Sequence, residues 1–166
     1  TITVGDANDQ TPSYSATNAN PDVVEGTTAV ETDVPITDSD TGDSNTCTVG
    51  GADASSFTCT ADSDSYNLAF SSAADFESAS VDGDDVYSVT LTVNDGAQNG
   101  PTVSYSVTVT DIDDVAPVFT SPSSISLAEN VQDVVTLAVT DVDSSASPTY
   151  TLSGTDSELF EVNSGT

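Results

Sequence analysis

The side chains able to do chemistry in this sequence are almost all carboxylates, and they recur at set places. Asp6, Asn8 and Asp9 precede Pro12, and Asp111, Asp113 and Asp114 precede Pro117 in the same way. Asp38 and Asp40 form a D-x-D pair at the end of an apolar stretch, as do Asp141 and Asp143. Glu25 stands in Val-Glu-Gly and Glu129 in Ala-Glu-Asn, Asp75 and Glu77 form D-F-E, and Asp95 follows the apolar alternation that ends at Val93. Carboxylate, amide and carbonyl oxygens gathered in this way are hard-cation ligands. Ca²⁺ takes about 6–8 oxygens at about 2.3–2.6 Å in irregular geometry, whereas Mg²⁺ keeps its waters and a strict octahedron. In an extended segment, alternate carboxylates of D-x-D point to opposite faces, so one linker can bridge two neighbouring ions.

The rest of the composition demands such ions. The chain has 166 residues with 28 Asp and Glu and no Lys, Arg or His, for a net charge of −28. No side-chain salt bridge can form, and two carboxylates about 5 Å apart repel by roughly 1 kcal/mol in water and severalfold more near a protein surface. The same absence removes whole classes of chemistry. Without His there is no Ser–His–Asp or Cys–His machinery and no His-ligated zinc. Without Lys there is no Walker-type phosphate loop, no Schiff base and no Lys–Asn isopeptide crosslink. Without basic residues a nucleic acid is repelled. Asp40-Thr41-Gly42 spells an aspartic-protease triplet, but that chemistry needs two such loops sharing a proton, and the aligned Asp143 is followed by Ser144 and Ser145. Asp75 and Glu77, two residues apart, share a cation more naturally than they form a glycosidase pair. The expectation is a protein that is not an enzyme. No apolar run approaches the ~20 residues of a membrane span and no charged-then-apolar signal opens the chain. It reads as an interior window of a longer secreted polypeptide, with no membrane insertion in this window.

The elements that must position these groups come from an internal repeat. Residues Thr1 to Tyr14 align on Ser106 to Phe119 at an offset of 105, placing Asp6, Asp9 and Pro12 on Asp111, Asp114 and Pro117. Val34 to Cys59 aligns on Leu137 to Val162 at an offset of 103, placing Asp38 and Asp40 on Asp141 and Asp143. The window then holds the end of one repeat (1–11), a complete repeat (12–114) and the first half of a third (115–166), which the parent chain or another subunit would complete. Period-2 alternation predicts strands near 2–4, 22–24, 28–37, 46–49, 57–60, 66–70, 86–93 and 103–110, with Tyr87, Val89, Leu91 and Val93 and then Val103, Tyr105, Val107 and Val109 facing inward. No helix pattern appears. Repeats of about 100 residues with this patterning predict an all-β fold of tandem Greek-key antiparallel β-sandwiches.

Cys47 and Cys59 occupy the positions of Tyr150 and Val162 in the next repeat, on apolar faces of neighbouring strands. One reading is a disulfide replacing a core pair in an oxidising compartment, contributing roughly 3 kcal/mol; the other is two buried thiols. Spacing excludes a C-x-x-C site. Asp43, Asp53, Asp62 and Asp64 read as solvated loop acids.

In the order E-G or E-N, D-F-E, D-x-x-D-x-x-P, D-x-D and a later lone Asp, repeated at a near-constant offset, the motifs resemble those of the cadherin superfamily over essentially the whole chain. Phe76 in D-F-E is a variant seen in bacterial-type repeats. Asp113 stands where Asn is usual, Val115 where Asn is common, and position 10 is Gln. The resemblance implies several Ca²⁺ ions per linker between successive repeats. One set would comprise Glu25, Asp75, Glu77, Asp111, Asp113, Asp114, Asp141 and Asp143, with the Ile112 carbonyl. Another would comprise Asp6, Asn8, Asp9, Asp38, Asp40 and Asp95, with the Ala7 carbonyl. It also implies an extracellular, calcium-stiffened stalk or fibre at a cell surface. Its partners would be calcium ions, neighbouring repeats, and identical chains in a filament or a cell-surface ligand. A non-catalytic spacer within a secreted polysaccharide-degrading enzyme is the alternative. There is no Trp, so strand exchange of the vertebrate type is not carried over.

Overall fold

The computed structural model describes residues 1–2, 4–40, 44–78, 85–143 and 148–163. They form two compact units, Thr1–Ile112 and Asp113–Thr166. Gly42 and Thr41 of the triplet, Asp43, and Ser144 and Ser145 lie outside the described residues.

Among the described residues unit 1 holds seven strands: β1 (Asp22–Val24), β2 (Ala29–Pro35), β3 (Thr46–Gly50), β4 (Phe57–Ala61), β5 (Ser65–Phe70), β6 (Val86–Asn94) and β7 (Val103–Thr110). The longest, β6 and β7, are mostly Val, Thr, Ser and Tyr, residue types that suit a half-buried pleated surface, and alternate residues along them are buried from Tyr87 to Val93 and from Tyr105 to Val109. They pair antiparallel with Val89 opposite Tyr105. Two sheets result, in the orders β1-β7-β6-β3 and β2-β5-β4. All pairings are antiparallel except β1 on β7, which is parallel, with Val23 beside Val109. That one pairing departs from the wholly antiparallel sandwich expected. Before β1 the chain makes an isolated antiparallel bridge between Ser13 and Thr37, just past the end of β2.

The inner faces meet in one core. Val34, Tyr66, Leu68, Leu91, Val93 and Val107 are fully buried, and burying one such aliphatic side chain contributes about 1.5–3 kcal/mol. Phe57, Phe70 and Tyr87 pack edge-on or tilted at one end, their centroids 4.3–5.8 Å apart. The expected inward set of β6 and β7 is buried throughout apart from Val103, which is half-buried. Cys47 on β3 and Cys59 on β4 form a disulfide with a Cα–Cα distance of 6.0 Å. Those strands belong to different sheets, so the bond ties one layer of the sandwich to the other rather than joining ladder neighbours.

Polar groups inside this core were not visible as such in the sequence. Glu31 is buried on the inner face of β2, because the register slips between Glu31 and Val34 around Asp33 in the left-handed region at φ 52°. Its carboxylate accepts bonds from the Thr17 hydroxyl and the Asn18 amide, clamping the approach to β1. Asp53 was expected in solvent but is completely buried. A carboxylate in a loop is pulled inside when it closes a backbone gap. Here the β3–β6 ladder runs out at Gly50, and Asp53 continues it by donating its amide to the Ser88 carbonyl at 3.3 Å and accepting the Ser88 amide on Oδ2 at 2.7 Å. We expect Asp53→Ala to lower unfolding free energy by about 1.5–3 kcal/mol, by losing the charge-assisted bond to the Ser88 amide, with Asp53→Asn recovering part. Urea titration followed by circular dichroism measures this; an unchanged midpoint would contradict the assigned role.

Unit 2 repeats some of this. A 3-10 turn at Ala54–Ser56 in unit 1 recurs as Ser157–Leu159, each preceded by an Asp and followed by a Phe. Its described residues hold two short strands, β8 (Val118–Phe119) and β9 (Val139–Thr140), paired antiparallel. The strands expected over the positions equivalent to β3 and β4 are absent among the described residues. In unit 1, β3 and β4 depend on β6 and β5 as ladder partners, and residues 113–163 contain no counterpart of β5–β7. Phe119, Ile125, Leu127, Leu152 and Phe160 are accordingly exposed. The strand expected over 2–4 is likewise not formed by the described residues there; Ile2 and Val4 are 94 % and 88 % exposed.

Candidate metal centres

At one end of unit 1 the loops after β1, β5 and β7 converge. Glu25 follows β1 directly and is buried. Gly26 turns the chain at φ 77°, a region where only glycine is unstrained, and its amide bonds to the Ala74 carbonyl at 2.8 Å. This folds Glu25 under two other loops. Its Oε1 accepts the Ile112 amide at 2.6 Å and its Oε2 the Phe76 amide at 3.0 Å. Asp75 Oδ1 accepts the Ser78 amide at 3.1 Å, which shapes the D-F-E turn. One carboxylate oxygen each from Glu25, Glu77 and Asp111 then lie within 4.8 Å of one another. Like charges at that spacing repel by about 3–4 kcal/mol per pair at an effective dielectric of ~20, and the chain has no Lys, Arg or His to offset them. A divalent cation does so directly.

At the other end of unit 1 the loop after β6 meets the loop after β2 and the segment before Pro12. Asp95 is 2 % exposed. Its Oδ1 accepts the Gln98 amide at 2.6 Å and the Ala97 amide at 2.7 Å, and these amides hold its carboxyl below the ordinary aspartate range despite burial. Its Oδ2 is buried with no hydrogen-bond donor. Asp38 is built alike: Oδ1 accepts the Asp40 amide at 3.1 Å, and Oδ2 is buried with no donor. Asp40 Oδ2 accepts both the Asp9 and Gln10 amides at 2.7 Å, and Asn8 Nδ2 donates to the Asp95 carbonyl at 3.1 Å. The segment before Pro12 is thus fastened to the D-x-D loop and to the Asp95 loop. Asp6 and Ala7 are exposed in that segment.

Unit 2 reproduces the D-x-D cradle. Asp143 Oδ2 accepts the Val115 amide at 2.9 Å, as Asp40 accepts that of Gln10, and Asp141 Oδ1 accepts the Asp143 amide at 3.3 Å. Asp143 is buried and its Oδ1 has no donor. Asp113 and Asp114 are exposed in the adjoining segment.

Burying a carboxylate oxygen that accepts nothing costs at least about 1–3 kcal/mol, and Asp38, Asp95 and Asp143 each have one such oxygen, a donor type that suits a hard cation. Asp53 and Glu31, by contrast, spend their oxygens on the chain itself. Asp53 was legible in principle, since its counterpart Asp156 recurs before the same turn; Glu31 carried no signal, its burial depending on a register slip.

No protein-family model and no curated protein matches the chain in sequence. Solved structures do match in fold. A human protocadherin-24 fragment of repeats EC1-2 superposes with a TM-score of 0.61 at 23% identity, over 84% of this chain and 62% of that one. A protocadherin gamma C5 EC1-3 fragment gives 0.59 at 25%, over 83% and 47%. A mouse cadherin-23 EC22-24 fragment gives 0.55 at 21%, over 82% and 45%. The chain therefore has the fold of cadherin extracellular repeats. It spans 62%, 47% and 45% of the length of these three fragments. Among the described residues no helix is long and apolar enough to cross a membrane.

Proposed function

We propose that this chain is a calcium-stiffened structural or adhesion module of a secreted cell-surface protein, acting as a stalk or fibre rather than as a catalyst. The observation that carries the reading is the set of buried carboxylate oxygens without donors on Asp38, Asp95 and Asp143, in a chain with no Lys, Arg or His. The ions would lie at the linkers that the repeat alignment places at residues 6–9 and 111–114, in the family's manner, and would turn a flexible string of sandwiches into a rigid rod. Glu25, Glu77 and Asp111 supply the second cluster, and Asp75, Asp113, Asp114 and Asp141 are assigned to it from their motifs. The domain division at 1–11, 12–114 and 115–166 belongs to the same proposal. A protocadherin gammaB7 EC3-6 fragment forms a cis-dimer; lateral association of identical chains is the partner interaction we propose, in the extracellular space.

Isothermal titration of the whole chain with Ca²⁺ tests this. We expect saturable binding to more than one site in the micromolar to millimolar range of extracellular modules. Asp95→Asn keeps the bonds to the Ala97 and Gln98 amides but removes the charge, and should weaken one class of site about tenfold or more while leaving the other unchanged. No heat at millimolar Ca²⁺ would falsify the reading.

A further inference from the structure

The loop between β6 and β7 contains the one Asn–Gly dipeptide of the chain, Asn99–Gly100, and it lies beside an Asp–Gly pair, Asp95–Gly96. Asn followed by Gly is the sequence most prone to spontaneous deamidation, because glycine leaves its own amide nitrogen open to attack the preceding side chain. The fold leaves no alternative at position 100. A Cβ there would lie 2.5 Å from the Pro12 carbonyl oxygen and 2.5 Å from Tyr14 Cε1, so only glycine fits. The reactive pair is therefore imposed by packing, and Asn99 itself is exposed to water.

Every group the reaction needs is nonetheless engaged. The Gly100 amide donates to the Val93 carbonyl at 2.9 Å. Asn99 forms an antiparallel bridge with Asn94, and its Oδ1 accepts a bond from Asn94 Nδ2 at 2.9 Å. The same Asn94 side chain accepts the Gly96 amide on Oδ1 at 2.8 Å, so the nitrogen that would attack Asp95 is held too. One side chain thus restrains both liabilities.

We propose that Asn99 is a latent deamidation site, closed in the native loop by the Asn94 side chain and by the Gly100–Val93 bond. When the loop opens, the deprotonated Gly100 nitrogen attacks Asn99 Cγ and closes a succinimide. The bond from Cγ to Nδ2 breaks and ammonia departs with the proton. Water then opens the ring at either carbonyl, leaving aspartate or isoaspartate. The net change is one amide plus water to one carboxyl plus ammonia. Isoaspartate adds a backbone carbon and ends the Asn94–Asn99 bridge. Either product adds a negative charge, and the isoaspartate loop also loses its clamp. The ring closure and hydrolysis themselves use no metal.

The test is peptide mapping by mass spectrometry after timed incubation of the whole chain at neutral pH, using an acid-directed protease because there is no Lys or Arg to cut. In denaturant, Asn99 should convert first among the asparagines. In native buffer its rate should fall at least about tenfold, since reaction requires local opening. Asn94→Ala should raise the native rate about three- to tenfold, the population change that follows loss of one or two ordinary hydrogen bonds, and leave the denatured rate unchanged. Should Asn94→Ala fail to fold, judged by near-ultraviolet dichroism of the buried tyrosines, Asn94→Asp serves instead. It keeps the acceptor for Gly96, loses only the donor to Asn99, and should accelerate Asn99 likewise. Equal native and denatured rates in the parent chain, or a native rate in the folded variant no faster than in the parent, would overturn the proposal.

Discussion

Replacing Glu25 by alanine will abolish the stability that calcium adds through the Glu25–Glu77–Asp111 cluster, and will cost far less when calcium is chelated. In the calcium-loaded protein the substitution removes two charge-assisted bonds, to the amides of Ile112 and Phe76, each worth about 1.5–3 kcal/mol. A domain has only about 5–15 kcal/mol in total. With chelator present a second effect opposes the first. Glu25 crowds oxygens of Glu77 and Asp111 within 4.8 Å, and relief of about 3–4 kcal/mol per pair offsets the lost hydrogen bonds. The ion reverses that sum by turning three repelling carboxylates into ligands. For the parent chain, calcium at a hundredfold excess over its dissociation constant adds about 2.7 kcal/mol per site, a midpoint rise of roughly 10 °C or more. The variant should show a small fraction of it. Glu25→Gln, which retains an acceptor for one amide, should lie between in calcium. Thermal melts of parent and variants with and without chelator decide the matter: an equal loss in both buffers would mean that Glu25 is a structural staple only.

Raising the pH past about 10 will unfold the sandwich cooperatively, and tyrosine alone will be responsible. The chain has no Lys, Arg or His and its cysteines are bonded to each other, so phenols are the side chains left to titrate there. Burial raises Tyr105, Tyr66, Tyr14 and Tyr87 above the ordinary value. Tyr105 is raised most, being buried, hydrogen-bonded to the Tyr66 hydroxyl at 2.6 Å and near Glu31. The sign follows from which state holds its proton. Below about pH 10 folded and unfolded chains are both protonated at these groups and the contribution is complete. Above it the unfolded chain ionises while the folded one cannot, and stability falls by about 1.4 kcal/mol per pH unit for each tyrosine concerned. Tyrosinate absorbance and far-ultraviolet dichroism should therefore change together in one steep transition. Tyrosines that ionise gradually while the dichroism stays constant would contradict it.

Strand positions 22–24 and 103–110 were legible to the residue, and 46–50, 57–61, 65–70 and 86–94 to within one, because period-2 alternation reports which face of a strand is buried and little else competes with it here. The acidic motifs were legible for a related reason. An Asp that must place one oxygen on a backbone amide and leave the other free recurs wherever that loop recurs, as Asp40 and Asp143 do. Asp53 was misread because solvation is the ordinary state of a loop aspartate, and nothing local to Gly-Ala-Asp-Ala announces that the β3 ladder needs a continuation. Among the described residues Ile2, Val4 and Phe160 lie in no strand, for a different reason: alternation marks a segment able to be a strand, but a strand exists only where another backbone completes its hydrogen bonds.

Composition alone determined that the acids of this chain must be balanced from solution, since a chain without a cationic side chain has no internal way to neutralise them. What the tertiary structure decided is which acids matter. Burial divided them into Asp53 and Glu31, whose oxygens the chain itself satisfies, and Asp38, Asp95 and Asp143, each left with an oxygen in the interior and no donor to meet it. That division depends on which loops pack against one another at each end of a sheet, a property of pairing between distant residues that no local spacing encodes.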